Sequence, residues 1–231
     1  MTRRPELAAR LAALRARIDA ACAAAGRPGA EVTLVAVTKG FPSSDLRLLA
    51  ELGVGDVGEN RDREARAKWA ELGGLGLRWH FVGRLQTNKC RSVAGYSDVV
   101  HSIDRESLVG FLAAGARACG RNVTGLVQVA LDDTPGRGGI SPDGVSALAD
   151  AVAAADGLEL GGVMAVAPLG ADPAAAFARL AELAARVRVD HPAARMISAG
   201  MSSDLESAVA AGATHLRIGT ALLGVRTPKV G

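Results

Sequence analysis

The chain holds four lysines among its 27 basic residues, Lys39, Lys68, Lys89 and Lys229. Only these side chains could condense with a carbonyl, because arginine is too basic to serve as an amine nucleophile. Lys39 follows the uncharged run Thr33-Leu-Val-Ala-Val-Thr38 at the mouth of a predicted strand. Apolar walls there would favour a neutral, nucleophilic amine, the chemistry of a Schiff-base lysine. Position alone serves equally well for an exposed lysine that merely ends a strand. Lys68 lies in the charged stretch 61–71, where solvent is expected to hold it as an ammonium ion. Two further segments suit an anion. Gly200-Met201-Ser202-Ser203-Asp204 leads from a predicted strand into a helix, whose first N–H groups attract a capping side chain or an anion. In Arg217-Ile-Gly219-Thr220 the glycine lets backbone approach a phosphate and the threonine offers a hydroxyl. Each alone is an ordinary helix start. Together, after the seventh and eighth strands, they predict a phosphorylated ligand.

Trp79-His80-Phe81 gathers aromatic surface in a chain that is 3% aromatic, and His80 is read as a structural histidine of the core. His101 and His191 show no metal-ligand spacing with it, and no order of Ser, His and Asp suggests a hydrolase triad, so no metal site is expected. The glycine-rich segment Asp132 to Gly139 reads as either a mobile lid or a long connection.

The elements that must position these residues alternate along the chain. Leu7, Leu11, Leu14, Ile18 and Cys22 recur at helical spacing, so residues 5–25 form an amphipathic helix ending at Gly26. Eight short strands follow, predicted at 32–37, 54–57, 78–82, 98–103, 125–131, 158–166, 195–199 and 215–218. Helical patterns separate them, and Ser141-Pro142 and Asp172-Pro173 each place a capping side chain before a proline suited to the first turn. Strand and helix in alternation imply right-handed crossovers and a parallel sheet. Eight units in 231 residues predict one α/β domain over 1–231, a single (β/α)8 TIM-type barrel with an extra N-terminal helix at 1–26. A doubly wound open sheet is the alternative. In both, ligands gather at the carboxyl ends of the strands.

Composition narrows the function classes. With 49% hydrophobic and 22% charged residues the chain is of ordinary globular type, and no apolar stretch approaches the ~20 residues needed to span a bilayer. The net charge of +3 is scattered, without the stripe of a nucleic-acid surface. Neither membrane nor nucleic acid is expected as a partner. Cys22, Cys90 and Cys119 lie far apart and odd in number, which suits reduced, mostly buried thiols. Glu6, Arg10, Arg15, Arg17 and Asp19 interrupt any signal-like apolar run, so a cytoplasmic location is expected.

Seven segments in order resemble the YggS and PROSC type of pyridoxal phosphate homeostasis proteins, related to the N-terminal barrel domain of alanine racemase. They are Leu34-Val-Ala-Val-Thr-Lys39, Gly58-Glu59-Asn60, Trp79 to Lys89, His101-Ser-Ile-Asp104, Gly162-Val-Met164, Ser198 to Asp204 and Arg217-Ile-Gly219-Thr220. The resemblance implies that Lys39 holds pyridoxal 5′-phosphate as an internal aldimine, and that Ser202, Gly219 and Thr220 hold its phosphate. It further implies that Arg217 faces the pyridine nitrogen while Asn60 and Met201 line the cofactor. It implies a protein that buffers or delivers the cofactor in vitamin B6 and amino-acid balance, without robust turnover of its own. Apo forms of pyridoxal-phosphate-dependent enzymes would be its recipients, and it would be a monomer or weak dimer. An arginine at the ring nitrogen agrees with this, since it disfavours the pyridinium and makes the ring a poorer electron sink. The chain ends soon after the phosphate motif, and no second domain is expected to supply a second acid or base. A pyridoxal-phosphate enzyme acting on amino acids, racemase-like, is the second reading and a Schiff-base aldolase on a sugar phosphate the third. Arg61-Asp62-Arg63-Glu64 and the loop Asp132 to Gly139 depart from the pattern of many relatives.

Overall fold

In the computed structural model, residues 3–132 and 138–225 are described. Eight parallel strands close a barrel in sequence order: β1 (Thr33–Val37), β2 (Asp56–Glu59), β3 (Arg78–Phe81), β4 (Val99–Ile103), β5 (Val123–Gln128), β6 (Leu158–Met164), β7 (Met196–Ser198) and β8 (His215–Ile218). Closure is made by β8 against β1, with Val35 opposite Arg217 and Ala36 opposite Ile218. The barrel therefore replaces the open-sheet alternative. Its helices are α1 (Arg3–Ala24), α2 (Ser43–Glu51), α3 (Asp62–Leu72), α4 (Cys90–Ala94), α5 (Glu106–Ala118), α6 (Val145–Ala153), α7 (Pro173–Asp190), α8 (Leu205–Ala210) and α9 (Thr220–Leu223).

The apolar stripe predicted on α1 is buried at Leu7, Leu11, Leu14, Ile18 and Cys22. It packs on α8 and α9, which have only six and four residues, so the N-terminal helix covers a side of the barrel that its last two helices are too short to shield. Burying each of the larger side chains stabilises the fold by about 1.5–3 kcal/mol. Asp172 caps α7 as its spacing predicts, Oδ1 accepting from the Ala174 N–H at 3.0 Å. Ser141 does not cap a helix. A 3-10 turn over Pro142–Gly144 intervenes, and α6 starts three residues later than the Ser-Pro signal suggests.

Between strands and helices the barrel is packed with aliphatic side chains, including Ala36, Val100, Val127, Val163 and Ile218. Inside, Val99, Leu126 and Met164 form a separate apolar cluster. The strands also bury His80, His101, Ser198, His215 and Arg217. A barrel interior is ordinarily filled by layers of branched aliphatic residues. This one also holds three histidines, a serine and an arginine. Pairing between β4 and β5 shifts between Val100 and Ile103, so the irregularity falls where His101 enters the interior.

Cys22 and Cys90 are buried, whereas Cys119 is exposed. Of the segment Asp132 to Gly139, read as either a mobile lid or a long connection, residues 133–137 lie outside the described residues. Gly138 is tied back to the barrel by its carbonyl, which accepts from Gln128 Nε2 at 2.8 Å. Among the described residues, no helix is long and apolar enough to cross a membrane.

Candidate functional site

The carboxyl end of β1 carries Thr38-Lys39-Gly40, and the neighbouring strand fixes this backbone before any ligand is considered. Thr38 N–H donates to the Gly58 carbonyl at 2.9 Å, and Thr38 Oγ1 donates to Glu59 Oε1 at 2.6 Å. Lys68 is not the solvated lysine that its charged helix suggests. It is 6% exposed and donates to the Thr38 carbonyl at 2.9 Å, Glu59 Oε1 at 2.6 Å and Glu64 Oε1 at 2.7 Å. The Gly40 N–H donates to the same Glu64 oxygen. Both peptide groups flanking Lys39 are thus clamped by one ion cluster. Burial pushes the Glu59 carboxyl up, against the pull of Lys68 and Thr38, whereas hydrogen bonds from Lys68 and Gly40 outweigh burial and hold Glu64 below its ordinary value. Lys68 is therefore occupied by carboxylates, and its amine is not offered to a carbonyl. Its role was invisible in sequence because its partners lie on another strand and at i−4 of its own helix.

Lys39 itself is half-buried, and its amine has no hydrogen bond or ion pair with the described residues. With Val37, Phe41, Gly219, Thr220, Gly224 and Val225 it lines a cavity of about 280 Å³. The fold has brought the β1 lysine and the β8 glycine-threonine together.

The loop after β7 meets the same place. Gly200 has φ +89°, and a Cβ there would lie 2.6 Å from the Ala208 methyl, so glycine lets β7 turn directly under α8. Ser202 and Asp204 do not cap α8. Asp204 Oδ1 accepts from the Met201 N–H at 2.6 Å, and Ser202 Oγ accepts from the Ala221 N–H at 3.2 Å, reaching across to the first turn of α9. That bond joins the two predicted anion loops. Thr220 is exposed at the rim, Gly219 half-buried, and the Met201 side chain 38% exposed.

Just after β2, Asn60 stands beside the mouth, and its Oδ1 is buried without a hydrogen-bond partner among the described residues. Gly83, after β3, packs on its backbone. A Cβ at residue 83 would lie 2.2 Å from the Asn60 carbonyl oxygen, so any larger residue there displaces Asn60. Arg217 lies below, 6% exposed, donating from Nη1 to Ser198 Oγ at 2.6 Å and from Nη2 to the Ala165 carbonyl at 2.8 Å. Burial pulls its guanidinium down to about 10.

The alanine racemase N-terminal domain family matches residues 9–227. The pyridoxal phosphate homeostasis protein of Mycobacterium tuberculosis is 43% identical over 243 residues, covering 97% of this chain and 94% of that one. The chain belongs to this family. The Escherichia coli K12 protein of the same name is 37% identical, with 96% of this chain and 97% of that one covered. Among solved structures, PipY of Synechococcus elongatus PCC7942 with pyridoxal phosphate bound is 36% identical at a TM-score of 0.82, covering 94% of this chain and all of that one. Alanine racemase from Streptomyces coelicolor A3(2), at 22% identity and a TM-score of 0.74, shares the fold over 59% of its own length.

The residues present fit such a cofactor. An amine and a buried amide oxygen, each without a partner among the described residues, two hydroxyls and a buried guanidinium all lie at or just beyond the carboxyl ends of barrel strands. Among the described residues, no three His, Cys, Asp or Glu side chains converge as metal ligands.

Proposed function

We propose that this chain binds pyridoxal 5′-phosphate through Lys39 and serves intracellular pyridoxal phosphate homeostasis, holding the cofactor for release to apo enzymes in the cytoplasm. One observation carries the reading. Among the described residues, Lys39 is the one lysine whose amine no carboxylate engages, and it shares one small cavity with Gly219 and Thr220. Pyridoxal phosphate supplies an aldehyde for that amine, an aromatic ring and a phosphate dianion. The chain's own groups suit each part. Glu59, Glu64 and Lys68 hold the backbone that aims Lys39. Ser202 and Thr220 offer hydroxyls, and Gly219 offers backbone approach, to the phosphate. Arg217 would present a donor-only group to the ring nitrogen, which would keep that nitrogen unprotonated and weaken the ring as an electron sink. Asn60 and Met201 would line the bound cofactor.

Borohydride reduction after loading with pyridoxal phosphate, followed by peptide mass mapping, tests this reading. The reduced adduct is expected on Lys39, and an adduct on Lys68 or Lys89 in its place would overturn it. Lys229 lies outside the described residues and serves as a further comparison in the same map.

A further inference from the structure

Five strands contribute to a continuous chain of hydrogen bonds through the barrel interior, and the site described above uses only Arg217 of it. Arg217 Nη1 lies 2.6 Å from Ser198 Oγ, Ser198 Oγ 2.8 Å from His101 Nδ1, His101 Nε2 2.8 Å from His80 Nδ1, and His80 Nε2 2.8 Å from Asp56 Oδ1. His80, His101 and Ser198 are almost wholly buried. Asp56 sits at the opposite, amino-terminal end of the barrel, in the wall of a separate cavity of about 390 Å³ that Arg15 and Asp19 also line.

The two ends determine every proton between them. A guanidinium only donates and a carboxylate only accepts. Ser198 Oγ, accepting from Arg217, turns its own proton toward His101 Nδ1. His101 must then carry its proton on Nε2 and give it to His80 Nδ1, and His80 must carry its proton on Nε2 and give it to Asp56. The reverse order would set a bare imidazole nitrogen 2.8 Å from a carboxylate oxygen. Burial agrees with single protonation, since it holds the His101 imidazole well below its ordinary range and lowers that of His80 despite the pull of Asp56. The nearest other imidazole, His215, lies with its ring 6.1 Å from that of His80 and is engaged through Nδ1 with Thr214 Oγ1.

We infer that Asp56, His80, His101 and Ser198 are positioning residues for Arg217: a one-way hydrogen-bond chain, anchored by a carboxylate at the far end of the barrel, that fixes the guanidinium against the cofactor ring. This rests on the reading that Arg217 faces that ring. Each imidazole acts through its neighbour and touches no ligand. In a buried, low-dielectric interior such a chain is polarised along its length, so its loss should be felt at the ring as well as in stability.

The test has two parts. In the protein without cofactor, nitrogen-15 NMR of the histidine side chains should find both His80 and His101 protonated on Nε2 and bare on Nδ1. The opposite tautomers would overturn the chain, whatever the ligand. With pyridoxal phosphate added, Ser198→Ala and His101→Phe should each shift the visible absorbance maximum of the bound cofactor and raise its dissociation constant roughly tenfold. Ser198→Thr, which keeps the hydroxyl, should restore both. If His101→Phe does not fold, the Ser198 pair and the tautomers decide the matter. An unchanged spectrum and affinity in Ser198→Ala would mean that the chain only fills the barrel, and would refute the positioning role. A wild-type protein that forms no reducible adduct on Lys39 would remove the underlying reading, and this shows before any variant is made.

Discussion

The polar barrel interior makes acid stability the sharpest property to measure. Burial lowers the His215 imidazole to about 4, with His80 and Arg217 adding to the shift and Asp56 opposing it. A folded-state value below the unfolded ~6.5 means that the unfolded chain binds the extra proton. The stability is therefore present above pH ~6.5 and is lost as pH falls through the window down to about 4. From pH 7 to pH 5, the difference between titration at 6.5 and at about 4 amounts to about 2 kcal/mol for this residue. His80 and His101, both lowered, act in the same direction, and Glu59, raised by burial, acts in the opposite one. His215→Asn removes one contributor and leaves the others in place. Urea denaturation of both proteins at pH 7 and pH 5 should show the wild type losing about 2 kcal/mol more than the variant on acidification. Equal losses would mean that His215 is protonated in the folded barrel, and the argument from burial would fail.

Lys68→Met should destabilise the fold by roughly 3–5 kcal/mol, because it leaves Glu59 buried without its cation, and adding Glu59→Gln should recover much of the loss; urea midpoints that ignore Lys68→Met would contradict the buried cluster. Gly83→Ala should lower the melting temperature and weaken cofactor binding together, since its Cβ meets the Asn60 carbonyl oxygen at 2.2 Å; a fully stable variant with unaltered affinity would count against that contact. In equilibrium dialysis, Lys39→Ala should retain pyridoxal phosphate noncovalently. Ser202→Ala with Thr220→Ala should weaken capture of pyridoxal phosphate and hardly affect pyridoxal, each charge-assisted bond contributing about 1.5–3 kcal/mol. Equal weakening for both ligands would reduce these loops to helix starts. If Arg217 faces the cofactor ring as proposed, racemase turnover of common amino acids should stay below ~1 s⁻¹ in a coupled assay, and faster turnover would argue for the enzyme reading.

What the sequence determined was local or periodic. The α1 stripe, the eight strand runs and the Asp172-Pro173 start are patterns within a few turns of chain, and each appears in the structure, although β2 is Asp56–Glu59 where 54–57 was expected and β5 is Val123–Gln128 where 125–131 was expected. The alternation of those elements favoured the barrel and left an open sheet as the alternative, which the pairing of β8 with β1 removed; Lys39, Gly219 and Thr220 then become neighbours because all follow strand ends. Tertiary structure decided whatever depends on which side chains from distant segments meet. Lys68 looked solvated because a helix of charges says nothing about the strand it packs on, yet Glu59 and the Thr38 carbonyl draw it inside. Ser202 carried the signature of a cap for the helix that follows it, and the closing of β8 on β1 offered it the Ala221 N–H of another helix instead. His80, His101, Ser198 and Arg217 stand on four strands, separated by as many as 97 residues between two bonded partners. No spacing rule links them. Only the shear of a closed barrel, with its irregular pairing at His101, brings them into a single line.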